Sequence, residues 1–169
     1  MIIRRERPEE FVLIYELVKV AFQTARFSDG QEQDFVNALR GGDSYIPELD
    51  LVAEENGTLI GQIMLTKTEI VDGGNRFETL LLAPSSVALE YRNRGVGSSL
   101  IQESFKLARE MGYSSVILVG DPAYYRRFGF KAALDFGIKP KLDIPDENVM
   151  VCELVPGTLD GISGTAECC

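Results

Sequence analysis

Histidine is absent from this chain of 169 residues. That removes the commonest general base, the commonest metal ligand and every Ser-His or Cys-His nucleophile pair. Chemistry here falls to carboxylates, tyrosine, cysteine, water and backbone amides. Cysteine is scarce as well: Cys152, Cys168 and Cys169 are the three present, and their spacing gives neither a disulfide framework nor a metal-ligand set. A reducing, cytoplasmic setting is the expectation. No apolar run approaches the roughly 20 residues of a membrane span. The opening "MIIRRERPEEF" lacks the hydrophobic segment of a signal peptide. Neither a membrane nor export is expected.

What is present is an ordinary globular balance, 45% hydrophobic and 25% charged residues, in a length that suits one domain over residues 1–169. The net charge of −9 is unevenly spread. Residues 1–90 carry 8 Lys/Arg against 16 Asp/Glu, residues 91–141 carry 9 against 4, and residues 142–169 carry none against 6. One basic segment in an acidic chain does not suit nucleic acid, which favours broad basic surfaces. It suits a compact polyanion held in one place, and the acidic remainder does not repel a cationic amine.

Along the chain, "MIIRRER" reads as a first strand. Pro8 and two acids then open a helix carrying Phe11, Ile14, Tyr15, Val18 and Phe22 at helical spacing. A second short helix runs through "SDGQEQDFVNALRGG", stopped by Gly41-Gly42. Two β-rich runs flank Asn56-Gly57, the favoured pair for a tight type I′ hairpin. Asp72–Asn75 is the next turn, and "FETLLLAPSSVAL" is a strand whose Pro84 marks a local break in pairing. From Gly95, the apolar positions Val96, Leu100, Ile101, Phe105, Ala108 and Met111 predict an amphipathic helix ending at Gly112. "SSVILVG" is a buried strand. "DPAYYRRFGF" is a short helix with Asp121 as N-cap and Pro122 behind it. One or two further strands follow, and the closing "GTLDGISGTAECC" reads as loop.

Chemistry concentrates at "YRNRGVGSSL", residues 91–100, where a strand passes through two arginines and two glycines into a helix. Glycines let backbone amides approach a ligand, and the first helical turn offers unpaired N–H groups with a partial positive charge. Together they form a cradle for pyrophosphate. The pattern is neither a Walker A sequence nor a Rossmann G-x-G-x-x-G.

Arg92, Gly95 and Gly97 match the Q/R-x-x-G-x-G/A signature of the GCN5-related N-acetyltransferases, and Tyr125 stands four residues before Gly129-Phe130, as in that superfamily's second signature. The chain resembles this superfamily over its whole length, and "GDPAYYRRFGF" with "PGTLDGISGT" is similar to its YhbS-like branch. The resemblance implies a mixed α/β fold: a central, mostly antiparallel sheet splayed between strands 4 and 5 and flanked by about four helices. It implies acetyl-CoA as donor, with coenzyme A as product. The backbone N–H groups of Arg94, Gly95, Val96, Gly97, Ser98 and Ser99 would hold the pyrophosphate. Those of Val87 and Leu89 would pair with the pantetheine arm, with Val87 also polarising the acetyl carbonyl. Arg92 and Arg94 would reach phosphates, and Tyr125 would be the general acid that protonates the departing thiolate. Tyr124 is assigned to packing. No metal is expected.

The acceptor implied is a small-molecule or peptide amine, attacking directly in a ternary complex and bounded mainly by residues 8–41; a homodimer fits the same reading. Many relatives carry a glutamate base on the fourth strand, but no carboxylate lies between residues 79 and 89 here. Glu78, Glu90 and Asp121 are the nearby acids, and Ser85 and Ser86 could order a water. Cys152 reads as a core thiol. Two rivals stand beside the enzyme: a CoA-binding sensor without catalysis, and a nucleotide-phosphate binder unrelated to CoA.

Overall fold

The computed structural model describes residues 1–25 and 28–169. The chain forms two compact units, residues 1–66 with 83–107, and residues 67–82 with 108–169. Two long strands run from one unit into the other. Residues 26 and 27, inside the stretch expected to bound an acceptor, lie outside the described residues.

In the first unit, β1 (Ile2–Arg5) is followed by a 3-10 turn at Pro8–Glu10, α1 (Phe11–Phe22) and α2 (Glu32–Arg40). Then come β2 (Asp50–Glu55), the first part of β3 (Thr58–Asp72), the end of β4 (Asn75–Val87) and most of α3 (Val96–Glu110). The β2–β3 hairpin closes at Asn56 and Gly57, whose φ of 50° and 80° are both left-handed, the backbone that a type I′ turn requires. β1 and β3 both pair antiparallel with β2. Ile14 and Val18 of α1, Val36 of α2, Val52 of β2 and Met64 of β3 form one buried cluster, so the helical periodicity of α1 is spent on covering the sheet.

A buried ionic group ties this unit together. Arg40, the last residue of α2, donates to Glu6 at 2.5 Å, and its Nε lies 3.7 Å from Asp50 at the start of β2. Tyr45 donates to the same Asp50 oxygen at 2.6 Å, and the guanidinium stacks 4.1 Å from the Phe11 ring centre. Glu6 and Asp50 side chains are almost fully buried. Burial first, and the neighbouring Asp50 carboxyl second, push the Glu6 carboxyl well above the usual glutamate range.

In the second unit, β4 pairs parallel with β5 (Ser115–Val119) at Leu80–Val116 and Leu81–Ile117. β8 (Val149–Glu153) pairs antiparallel with β5, and β6 (Lys131–Ala132) antiparallel with β8. β7 (Ile138–Pro140) pairs with β9 (Gly164–Ala166), which lies antiparallel to the end of β3. The short α4 (Pro122–Tyr125) completes four α-helices among the described residues. Ile70, Ile117, Ile138, Val149, Val151 and Leu159 are central to the core of this unit. The fold class is therefore the expected one: mixed α/β, mostly antiparallel, with a parallel β4–β5 pair.

Two expectations are corrected. The closing segment is not all loop, because Gly164–Ala166 forms β9. Three residues are too few to show a strand period, and Gly164 (φ 129°) sits so close to the Val71 carbonyl that no Cβ fits. Cys168 and Cys169, whose spacing gives no disulfide framework and whose setting is expected to be reducing, are bonded to each other; a link between neighbours closes no loop between elements. No described helix is long and apolar enough to cross a membrane.

Removing the Arg40 cation would leave two carboxyls buried together, so Arg40→Ala is expected to lower unfolding free energy by about 3–5 kcal/mol in urea titrations. Glu6 binds its proton more readily folded than unfolded. Its contribution is present below the ordinary glutamate range and is lost as pH rises through the raised folded value. The urea midpoint should fall from mildly acidic to mildly alkaline buffer, and Glu6→Gln should flatten that fall. An unchanged slope in Glu6→Gln would show that another group titrates.

Candidate functional site

Nine of the ten residues expected at the site lie in the first unit and Tyr125 in the second. The nine follow one continuous path from β4 into α3. β4 runs from Asn75 to Val87 through Pro84, which has no N–H to donate. Gln62 of β3 reaches this position: its Nε2 donates to the Pro84 carbonyl at 2.8 Å and reaches Ser86 Oγ at 3.2 Å. Just past the end of β4, the Ala88 N–H donates to the Ile60 carbonyl at 2.8 Å. Strand alternation turns the N–H of Val87, the last residue of β4, away from β3. Leu89–Tyr91 forms a 3-10 turn, and the chain swings toward α3 through Asn93 (φ 63°) and Gly95 (φ 80°). These are left-handed positions that favour asparagine and glycine.

The first helical bond of α3 runs from Ser99 N–H to the Gly95 carbonyl at 3.0 Å. The N–H groups of Val96, Gly97 and Ser98 precede it in the first turn, where no intrahelical acceptor exists. Ser99 N–H, by contrast, already has a partner. The turn is seated on β3 through Gly61. A Cβ there would lie 3.0 Å from Leu100 Cδ1 and 3.1 Å from both Ser86 O and Val96 Cγ1, so the missing side chain lets α3 approach.

The two arginines differ. Arg92 donates to the Ala21 carbonyl at 2.8 Å and to Thr24 Oγ1 at 3.0 Å, tying its side chain to the C-terminal end of α1. Arg94 is exposed, with its guanidinium 5.2 Å from the Tyr91 ring centre. Among the described residues, the donors at the turn are therefore the backbone amides of its first residues, the helix dipole and the exposed Arg94 guanidinium. That chemistry fits a phosphorylated anion.

In the second unit, Asp121 caps α4 by accepting from Ala123 N–H at 2.9 Å, and left-handed Gly129 ends the following 3-10 turn. Tyr125 packs edge-on against Phe130, at 5.8 Å between ring centres, and against Tyr124 at 4.9 Å. A Cβ on Gly120 would come within 2.7 Å of the Tyr125 ring, so this glycine lets the ring lie against the end of β5. Burial pushes the Tyr125 phenol well above its ordinary range. It holds its proton through neutral and mildly alkaline pH. Tyr124 packs on Phe128 at 5.4 Å.

No acid is placed as a base. Glu78 and Glu90 are exposed, and Asp121 is engaged as a cap. Cys152 is a buried free thiol facing the Phe128 carbonyl, and burial raises it to about 11, which keeps it unreactive. No metal-binding group of three side chains occurs among the described residues. Gln62, Gly61 and Gly120 escaped the sequence reading. A glutamine and a glycine inside the apolar run "LIGQIML" were the available signals.

Residues 2–133 match the family model of the acetyltransferase (GNAT) domain. The chain is 30% identical over 168 residues to the uncharacterized N-acetyltransferase YhbS of Escherichia coli K12, covering 99% of this chain and 95% of that protein. A crystal structure of Escherichia coli YhbS in complex with CoA superposes with a TM-score of 0.86 at 27% identity, covering 98% of this chain and 87% of that one. A GNAT family acetyltransferase from Brucella melitensis, solved with acetyl-CoA, gives 0.70 at 37% identity, covering 78% and 82%.

Because Gly61 lets α3 approach β3 and Gly120 lets the Tyr125 ring lie against β5, each should resist a methyl group. Gly61→Ala is expected to cost about 1–3 kcal/mol of stability by overpacking, read in urea. Gly120→Ala should change the near-ultraviolet circular dichroism of the tyrosines while the protein stays folded. A neutral Gly61→Ala would mean that α3 shifts freely.

Proposed function

The chain belongs to the acetyltransferase (GNAT) family, and from that premise we propose that it moves an acetyl group from acetyl-CoA to a primary amine within one acetyltransferase domain, residues 1–169. The observation that carries this reading is the α3 entry, where the N–H groups of Val96, Gly97 and Ser98 lie in the first helical turn, ahead of the Ser99–Gly95 bond and beside exposed Arg94. Such a donor set fits the CoA pyrophosphate. The Gly95 side of the turn is open, with nothing within 4 Å of where a Cβ would stand, which leaves room for a bulky anion.

Bound acetyl-CoA supplies an activated acetyl thioester. Val87 and Leu89 offer N–H groups to the pantetheine arm, and Val87 N–H polarises the acetyl carbonyl. Tyr125 holds a proton for the sulfur that leaves, and burial keeps that phenol protonated across the working range. The amine, on a small molecule or a peptide, attacks directly with both substrates bound. Arg92 serves here by anchoring the end of α1.

A second reading keeps the ligand and drops the reaction: a CoA-binding sensor. The stretch 79–89 without a carboxylate favours it.

Calorimetric titration with acetyl-CoA, CoA and ATP tests the donor assignment. CoA and acetyl-CoA should bind, ATP weakly, and Gly97→Glu should weaken CoA by at least about tenfold, because a carboxylate would then face the phosphates. No CoA binding by the folded protein would sink the proposal. With an acceptor drawn from an amine panel, Tyr125→Phe should lower kcat by about 10²–10⁴ with CoA affinity retained. Wild-type binding without turnover on any amine would instead favour the sensor.

A further inference from the structure

Gln62 is a polar residue buried in the middle of β3, 1% exposed and flanked by Ile60, Ile63 and Met64, all equally buried. Its Nε2 has two acceptors, Pro84 O at 2.8 Å and Ser86 Oγ at 3.2 Å. Its Oε1 has no hydrogen-bond partner among the described residues. The amide cannot be turned round, because the Pro84 carbonyl only accepts and so must face the nitrogen. A buried acceptor without a donor is costly, and leucine or methionine would fill similar volume without it. The amide is retained for what its nitrogen does.

What it does is hold β4 where proline has removed a donor. The Ser86–Val87 peptide lies two peptides further along. Ser86 O lies 3.1 Å from where a Gly61 Cβ would stand, so that carbonyl points toward β3. In a planar trans peptide the N–H points opposite to the C=O. Val87 N–H therefore points away from β3. With Pro84 O and Ser86 Oγ both tied to Gln62 and Ala88 N–H tied to Ile60, the peptide carrying that N–H is fixed from both sides.

We propose that Gln62 is a positioning residue: by clamping Pro84 and Ser86 it aims the Val87 N–H at the acyl carbonyl of the bound thioester. The inference rests on the proposed acetyl-CoA reading and adds to it a side chain that touches neither substrate.

The test needs no acceptor amine. CoA and acetyl-CoA differ by the acetyl group, so one aimed N–H gives wild type an acetyl-CoA preference of about 2- to 12-fold in calorimetric Kd. In Gln62→Leu the preference should fall to about one, while the affinity for free CoA, set by the α3 turn, stays as in wild type. Amide hydrogen exchange at Ala88 should quicken in the same variant. Gln62→Glu provides the rescue if the leucine variant folds poorly. A protonated carboxyl can donate to Pro84 O and an ionised one cannot, and burial raises the carboxyl's pKa. The preference should then return in mildly acidic buffer and vanish in alkaline buffer, a dependence absent from wild type. A wild-type preference of one, or a full preference kept by Gln62→Leu, overturns the inference and leaves CoA binding intact. Failure of wild type to bind either ligand instead overturns the acetyl-CoA reading beneath it.

Discussion

Proline at position 84 is the constraint around which the candidate site is built. A strand that contains it cannot donate from that residue, so β4 must be held there by something other than its own ladder. β3 supplies the holding in three consecutive residues. Ile60 accepts from Ala88, Gly61 makes room for Ser86 O, Val96 and Leu100, and Gln62 bonds Pro84 and Ser86. The same short stretch thus fixes the direction of the Val87 N–H and the seat of the α3 entry. Both belong to one packed unit, so a change at β3 is felt at the anion turn and at the strand together.

In the proposed reading the anion is held mainly by backbone amides, with Arg94 as the exposed cation beside them. The sequence makes Arg92 look like a phosphate ligand, yet its guanidinium ends α1 by binding Ala21 and Thr24. What remains is backbone: left-handed Asn93 and Gly95 bend the chain, and the first turn of α3 presents amides. Backbone donors tolerate no bulky neighbour, which is why glycine matters here. They are also neutral donors that do not titrate, which suits a chain with no histidine.

Local signals were legible in the sequence and distant pairings were not. Asn56-Gly57, the N-cap Asp121 and the apolar stripe of α3 each act over a few residues, and the structure has the hairpin, the cap and the helix they predict. β9 escaped notice because three residues carry no period, and its register is set by β3, almost a hundred residues earlier in the chain. The Glu6–Arg40 pair joins residues 34 apart, and nothing near either residue announces the other. Gln62 was visible as an oddity in an apolar run, but its partner is the Pro84 carbonyl, on another strand 22 residues away. The parallel pairing of β4 and β5 is confined to two residue pairs, in keeping with the splay that the family resemblance implies.

The missing carboxylate on β4 bears on which amines the proposed reaction suits. An amine attacks as the neutral form, and with Glu78 and Glu90 exposed and Asp121 engaged as a cap, its proton must leave through water. For an α-amine with pKa near 8, about one molecule in ten is already neutral at pH 7. For a lysine-like amine near 10.4, it is about one in 2,500. A site without a dedicated base therefore works at little disadvantage on the first kind and at a large one on the second. Tyr125 does not change this balance, because a phenol held protonated by burial can give a proton and cannot take one. In the proposed reaction, then, Tyr125 serves the leaving side alone, and the acceptor's own acidity must serve on the other.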